Sequence, residues 1–267
     1  MKREEVRSIF AGMERVPFVL SGGGARGLAH VGVLRAFSEA GMVPSAISGT
    51  SAGALVGAFV AAGVAPADIA RLVLRDWRLH LTRWRVLRGE ILSQRRIGDF
   101  LEAFLPVKTF EELRMPLFVS ATDLAKGGQR IFSSGPLVPA LLAASAVPVI
   151  FPPVVIDGIP YVDGGLSNNL PVEPFQDRRA EIVAVYVNPL PQWTGRRSVR
   201  GTIDRVFHLS FREMVARSAQ GCRWYLEPPG LTQFGMFDLS HSGEIMKVGY
   251  DYAKELLFQG EGSAERG

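Results

Sequence analysis

The apolar run Val16–Leu20 stops at Ser21-Gly22-Gly23-Gly24-Ala25-Arg26-Gly27, and beyond it apolar residues recur at Leu28, Val31, Leu34 and Phe37 until Gly41. An uninterrupted short apolar run reads as a buried strand, and the recurrence after it reads as a helix over Leu28–Ala40. The glycines between them allow a tight turn and let another group approach the backbone amides. The same alternation continues along the chain. Ala46–Ser48 reads as a short strand and Ala52–Ala62 as a helix apolar on every side, hence central. Residues 66–105 read as outer helical pieces, with Pro66-Ala67-Asp68 as a first turn. Leu117–Thr122 and Gln129–Ser133 read as strands around Lys126-Gly127-Gly128, and Leu137–Ala146 as a small helix. Val154–Ile156 and Tyr161–Val162 flank Asp157-Gly158, a hairpin signal. Glu181–Val187 reads as a further strand, and helices resume at Thr202–Gln220 and His241–Leu257. Strands alternating with helices predict an α/β/α domain of three layers around a mostly parallel sheet.

At 267 residues, 47% hydrophobic and 21% charged, the chain is long enough for one core with layers on both faces of a sheet. The expected division is an N-terminal segment 1–15, one domain over 16–258 and a small, polar tail over 259–267. Two long uncharged stretches, 46–67 and 131–156, are broken by glycines and prolines and read as buried core rather than membrane spans. The charged start, Lys2-Arg3-Glu4-Glu5, is unlike a secretory leader, and the single Cys222 rules out an internal disulfide. Both fit a cytoplasmic protein.

The net charge is +4, and eight arginines fall between Arg71 and Arg96 together with Trp77 and Trp84; a second arginine-rich stretch runs from Arg196 to Arg223. Basic residues interleaved with tryptophan suit peripheral contact with an anionic membrane, at its inner face in a cytoplasmic protein; a solvated helix face is the plain alternative. No nucleic-acid-binding motif accompanies the charge, so no nucleic-acid partner is expected. The sequence sets no oligomeric state.

Three segments carry chemistry. Gly22, Gly24 and Gly27 satisfy the dinucleotide pattern G-x-G-x-x-G, but that reading requires an acidic residue about 20 positions on, and none occurs between Met42 and Ala67. That stretch holds instead Gly49-Thr50-Ser51-Ala52-Gly53, a G-x-S-x-G segment between strand and helix, in which Gly49 and Gly53 permit a sharp turn that lifts out the serine hydroxyl. A serine needs a base. Asp163-Gly164-Gly165 puts a carboxylate at a strand end, where it either accepts the serine proton or merely starts a turn.

In this order the glycine loop, the serine turn and the Asp-Gly-Gly resemble the patatin-like phospholipase family. So do Thr122-Asp123-Leu124, Ala144-Ser145-Ala146-Val147-Pro148, Phe151-Pro152-Pro153-Val154 and Asn169-Leu170-Pro171. The resemblance covers roughly residues 16 to 190 and is strongest with the short bacterial members. It implies a patatin-like fold and a lipid-ester hydrolase using no metal or cofactor. Ser51 would be the nucleophile and Asp163 the base; the amides of Gly23, Gly24 and Ala25 would be oxyanion donors, and Arg26 would shape the loop. One departure is Val149, where bacterial relatives often have glycine; it is expected to reshape the wall of the acyl pocket.

Two rivals stand beside this reading. One is a Ser-His-Asp esterase. Of the four histidines, His30 follows the glycine loop and His80 lies in the basic stretch, while Ser51, Asp163 and His208 or His241 occur in the order of such an esterase, although a serine turn at residue 51 leaves room for only one strand–helix unit before it. The other is a non-catalytic lipid-binding or regulatory module of the same fold. Cys222 reads as a structural thiol, and the scattered histidines give no metal-ligand spacing.

Overall fold

The computed structural model describes residues 13–77, 94–190, 199–236 and 238–264. Most of the 1–15 segment, the centre of the first arginine-rich stretch with His80 and Trp84, and part of the second lie outside them.

In chain order the strands are β1 (Glu14–Leu20), β2 (Met42–Thr50), β3 (Leu117–Asp123), β4 (Gly128–Phe132), β5 (Val154–Ile156), β6 (Ile159–Asp163), β7 (Val183–Val185) and β8 (Trp224–Leu226). The helices are α1 (Ala29–Glu39), α2 (Ser51–Ala61), α3 (Pro66–Leu72), α4 (Gln94–Phe104), α5 (Leu137–Ala144), α6 (Val199–Ala219) and α7 (Ser242–Ala264), the last running on into the segment read as a tail. All eight strands join one sheet in the order β5-β6-β3-β2-β1-β7-β8, with β4 added to β3. The pairs from β3 through β2, β1 and β7 to β8 are parallel, and those involving β4, β5 and β6 are antiparallel.

Because strand side chains alternate between faces, each strand feeds two cores. Phe18, Leu20, Ile47, Val119 and Val185 point into the larger one, under α1, α2, α4, α5 and α7. Val19, Ala46 and Ala184 point into the smaller one, against Leu170, Val172, Phe175 and, on α6, Val215. The result is the three-layer α/β/α architecture. In the larger core α1 and α7 cross at two glycines: Gly32 lies on the backbone of Met246 and Tyr250, and Gly249 on that of Ala29, with no room for a side chain at either.

Three elements bear on the sequence reading. β2 begins at Met42 rather than Ala46, despite Pro44. Pro44 pairs with Val16 of β1 at a point where β3, which joins only from Ile47, has not begun, so β2 is locally an edge there and tolerates proline. β7 is only Val183–Val185: Tyr186 N–H still donates to the Leu226 carbonyl at the end of β8, but Val187 N–H already turns to Ser21 Oγ. Asp157 and Gly158 both take positive φ (51° and 77°), the conformation a two-residue hairpin with the right twist demands, and β5 and β6 pair as expected.

The sheet contains one device that matters for the site. β3 pairs with β4 over Val119–Asp123, which occupies one of its edges. The other edge is shared end to end: β2 runs along it up to Thr50 opposite Ser120, and β6 arrives from the opposite direction with Asp163 opposite Ala121. The C-terminal ends of β2 and β6 therefore meet head-on at neighbouring register positions.

Candidate active site

Ser51 is the residue after that end of β2. Its φ is 50°, the left-handed region that costs an L-residue about 1 kcal/mol or more, while Thr50 before it is still extended. The turn closes only because its flanks are bare. A β-carbon on Gly49 would lie 2.8 Å from the Ala54 nitrogen, and one on Gly53 would run into the Leu20 carbonyl. This is the physical content of the G-x-S-x-G spacing. Ser51 heads α2, whose N-terminal amides favour developing negative charge.

Asp163 ends β6, and the turn behind it can nest there because Gly164 abuts the Ser120 carbonyl and the Thr50 hydroxyl with no space for a β-carbon. Gly165 N–H donates to Asp163 Oδ1 at 2.8 Å. Burial pushes the carboxyl up to about 6, and the Ser51 hydroxyl and Gly165 N–H offset part of that rise. The Ser51 hydroxyl is near enough to influence the carboxyl, but among the described residues the two form no hydrogen bond of ordinary geometry and Oδ2 is buried without a partner. Resting sites commonly hold such contacts long and tighten them around substrate.

The glycine loop passes directly beside Ser51, since a β-carbon on Gly22 would stand 3.0 Å from the Ser51 Cβ. Two asparagines grip Gly22. Its N–H donates to Asn169 Oδ1 at 2.9 Å, and its carbonyl accepts from Asn188 Nδ2 at 2.7 Å. The Gly22 carbonyl and the Gly23 N–H belong to one planar trans peptide, so fixing the first fixes the direction of the second. Among the described residues the N–H groups of Gly23 and Gly24 have no acceptor. Ala25 differs from expectation: its N–H donates to the Met236 carbonyl at 2.7 Å and is already engaged. Gly24, at φ 56°, lies against Met236 as well. Arg26 is buried and donates from Nε to the Phe234 carbonyl at 2.7 Å, so the segment 234–236 is strapped onto the loop.

From Ser51 a cavity of about 170 Å³ runs into the larger core, lined by Leu55 and Phe59 of α2, Phe100 and Leu101 of α4, and Val147 and Phe151. Its walls are almost wholly apolar. Val149 is not part of them: its side chain is fully exposed, at φ 73°, while Val147 and Phe151 on either side face the cavity. The expectation that Val149 shapes the acyl wall is thereby corrected.

The structure brings neither described histidine side chain into the hydroxyl–carboxylate pair. His30 is fully buried, with Nε2 2.8 Å from the Ser21 carbonyl, and burial lowers it to about 4. His241 is exposed and held 2.8 Å from Asp238, which raises it. His80 and the side chain of His208 lie outside the described residues. Burial raises the Cys222 thiol, in keeping with a structural role. Sequence reasoning assigned no role to Asn169 and passed over Asn188; the signal for the latter was a polar residue ending an apolar strand, Asn188 before Pro189.

Fold and site together define a three-layer α/β domain that presents a serine on a strained strand-to-helix turn to a buried carboxylate beside a glycine loop. The model of the patatin-like phospholipase family matches residues 18–175, and the chain belongs to that family. An uncharacterized NTE family protein of Mycobacterium tuberculosis is 35% identical over 184 residues, a match spanning 65% of this chain and 49% of that one. A lysophospholipase NTE1 of Coccidioides immitis is 27% identical over 277 residues, 91% of this chain but 17% of its own length. The chain thus spans half or less of these relatives. The crystal structure of VipD from Legionella pneumophila superposes with a TM-score of 0.55 over 93% of this chain and 67% of that one, at 17% identity, a likeness of fold alone.

Proposed function

We propose that the protein is a serine acyl-hydrolase that cleaves carboxylic esters of phospholipids or lysophospholipids through a Ser51–Asp163 dyad. The observation that carries the reading is the head-on meeting of β2 and β6, which sets a strained serine against a carboxyl whose pKa of about 6 suits a base at neutral pH. The apolar cavity and the lysophospholipase among the relatives support an acyl ester as substrate.

In this mechanism Asp163 takes the Ser51 proton as Oγ attacks the ester carbonyl. The N–H groups of Gly23 and Gly24 receive the oxyanion, each donor contributing about 3 kcal/mol. Collapse breaks the ester bond, and the protonated Asp163 passes its proton to the leaving alcohol. A water, deprotonated by the same carboxylate, then cleaves the acyl-serine. Arg26 and Asn188 hold the loop rather than react.

The test is hydrolysis of p-nitrophenyl butyrate and of lysophosphatidylcholine, with labelling by a fluorophosphonate located by mass spectrometry. Ser51→Ala and Asp163→Asn are each expected to lose about a thousandfold or more in kcat. Label elsewhere than Ser51, or an Asp163→Asn variant with near-parental kcat, would remove the dyad.

A further inference from the structure

We propose that the turn formed by residues 147–151 is a bilayer-docking element whose apolar tip, Val149 and Ile150, enters a membrane containing anionic lipid; this rests on the acyl-hydrolase reading above. The turn is closed by the N–H groups of Ile150 and Phe151, both donating to the Val147 carbonyl at 3.2 and 2.9 Å. Val147 and Phe151 face the cavity that begins at Ser51. The tip between them faces the opposite way: Val149 has a relative exposure of 106% and Ile150 of 41%. One five-residue turn is therefore cavity wall on one side and exposed hydrocarbon on the other.

Folding does nothing to reward this arrangement. A β-branched residue at φ 73° is strained where glycine or asparagine would be relaxed, and a side chain with no protein neighbour gains no packing in return. Pro148, Pro152 and Pro153 stiffen the flanks, so the tip is not free to fold back and hide its methyl groups. The missing partner is apolar. The neighbouring helix brings positive charge to this side of the domain: Gln94 Nε2 donates to the Pro152 carbonyl at 3.4 Å, and the next residue of α4, Arg95, is exposed. Two apolar side chains are far too small for a protein dimer, which needs about 1,200 Å² or more of buried surface. They suit shallow insertion among anionic headgroups, and they would carry the cavity to the phase in which lipid esters reside.

The experiment compares the full chain with a Val149→Asn/Ile150→Ser variant, asparagine being tolerated at positive φ. Binding to phosphatidylcholine vesicles with and without phosphatidylglycerol is measured by sedimentation, alongside hydrolysis of soluble p-nitrophenyl butyrate. The variant is expected to bind the anionic vesicles about tenfold more weakly or worse, with hydrolysis of the soluble ester unchanged. A Val149→Trp variant that keeps its hydrolysis of the soluble ester and stays in the supernatant without vesicles is expected to bind several-fold more tightly. Equal vesicle binding by parent and variants overturns the proposal. So does a parent that sediments as a dimer and becomes monomeric in the variant while vesicle binding stays the same. A parent that binds vesicles through this tip but hydrolyses no ester leaves docking standing and removes the hydrolase reading instead.

Discussion

Asp163 is a base that the fold holds at some cost to itself. Its carboxyl titrates near 6 in the folded chain against 3.8 when unfolded, with burial as the cause, so the folded state binds the proton more tightly. The stability that this one group contributes is therefore highest below about pH 4 and declines as pH rises through about 6; above that, the buried carboxylate costs the fold about 2–3 kcal/mol. Asparagine keeps an oxygen for the Gly165 N–H and never ionises. Asp163→Asn is accordingly expected to be inactive yet to melt a few degrees above the parent at pH 8, the gap closing by pH 4; a gap that widens toward acid would reverse the sign of the effect. In the parent, kcat/KM should fall about tenfold per pH unit below about 6 as the base is protonated. On the proposed mechanism Asn188 acts at one remove, through the Gly22–Gly23 peptide that its Nδ2 grips, while its buried Oδ1 lacks a partner among the described residues. Asn188→Leu removes the grip and the orphaned acceptor together, so the melting temperature should hardly move. What should fall, by about 10- to 100-fold, is kcat with KM unchanged, together with affinity for a trifluoromethyl ketone that forms an oxyanion. Loss of stability with kcat intact would make Asn188 merely structural.

At the scale of elements, what the sequence disclosed was whatever depends on a few adjacent residues. The turn at Ser51 is legible because Gly49 and Gly53 are needed within two residues of it, and the β5–β6 hairpin because Asp157-Gly158 supplies both positive φ angles. Asp163 was legible as a strand end, but not its partner. That depends on β2 and β6 sharing one edge of β3, a fact of register between segments over a hundred residues apart in the chain. The strap that engages Ala25 and Arg26 through the carbonyls of Met236 and Phe234 was invisible for a related reason: carbonyls carry no sequence signature, and the strap is flanked only by the short 3₁₀ turns Pro229–Gln233 and Leu239–His241, which have no helical or strand periodicity. The outward direction of Val149 was misjudged because a single residue does not disclose its φ, and on that angle the side-chain direction depends.

At the scale of the molecule, the two cores are distinct but the strands between them are not. β1 gives Phe18 and Leu20 to one and Val19 to the other, and β7 likewise divides Val183 and Val185 from Ala184. Neither helical layer can leave without exposing one face of the same central strands. The site spans that shared frame as well: Ser51 begins α2 in the larger layer, while Asn169 precedes Leu170 of the smaller core and holds the glycine loop. Chains of this size often unfold in more than one step, yet here melting one layer should take the other and the catalytic loop with it. Urea denaturation followed by far-UV circular dichroism, tryptophan emission and residual esterase activity is expected to give coincident midpoints. Val215→Asp, which places a charge in the smaller core, should shift all three downward together. An activity curve that falls well before the other two would mean that the glycine loop and its strap come away as a separate unit, and that the sheet does not couple the two layers.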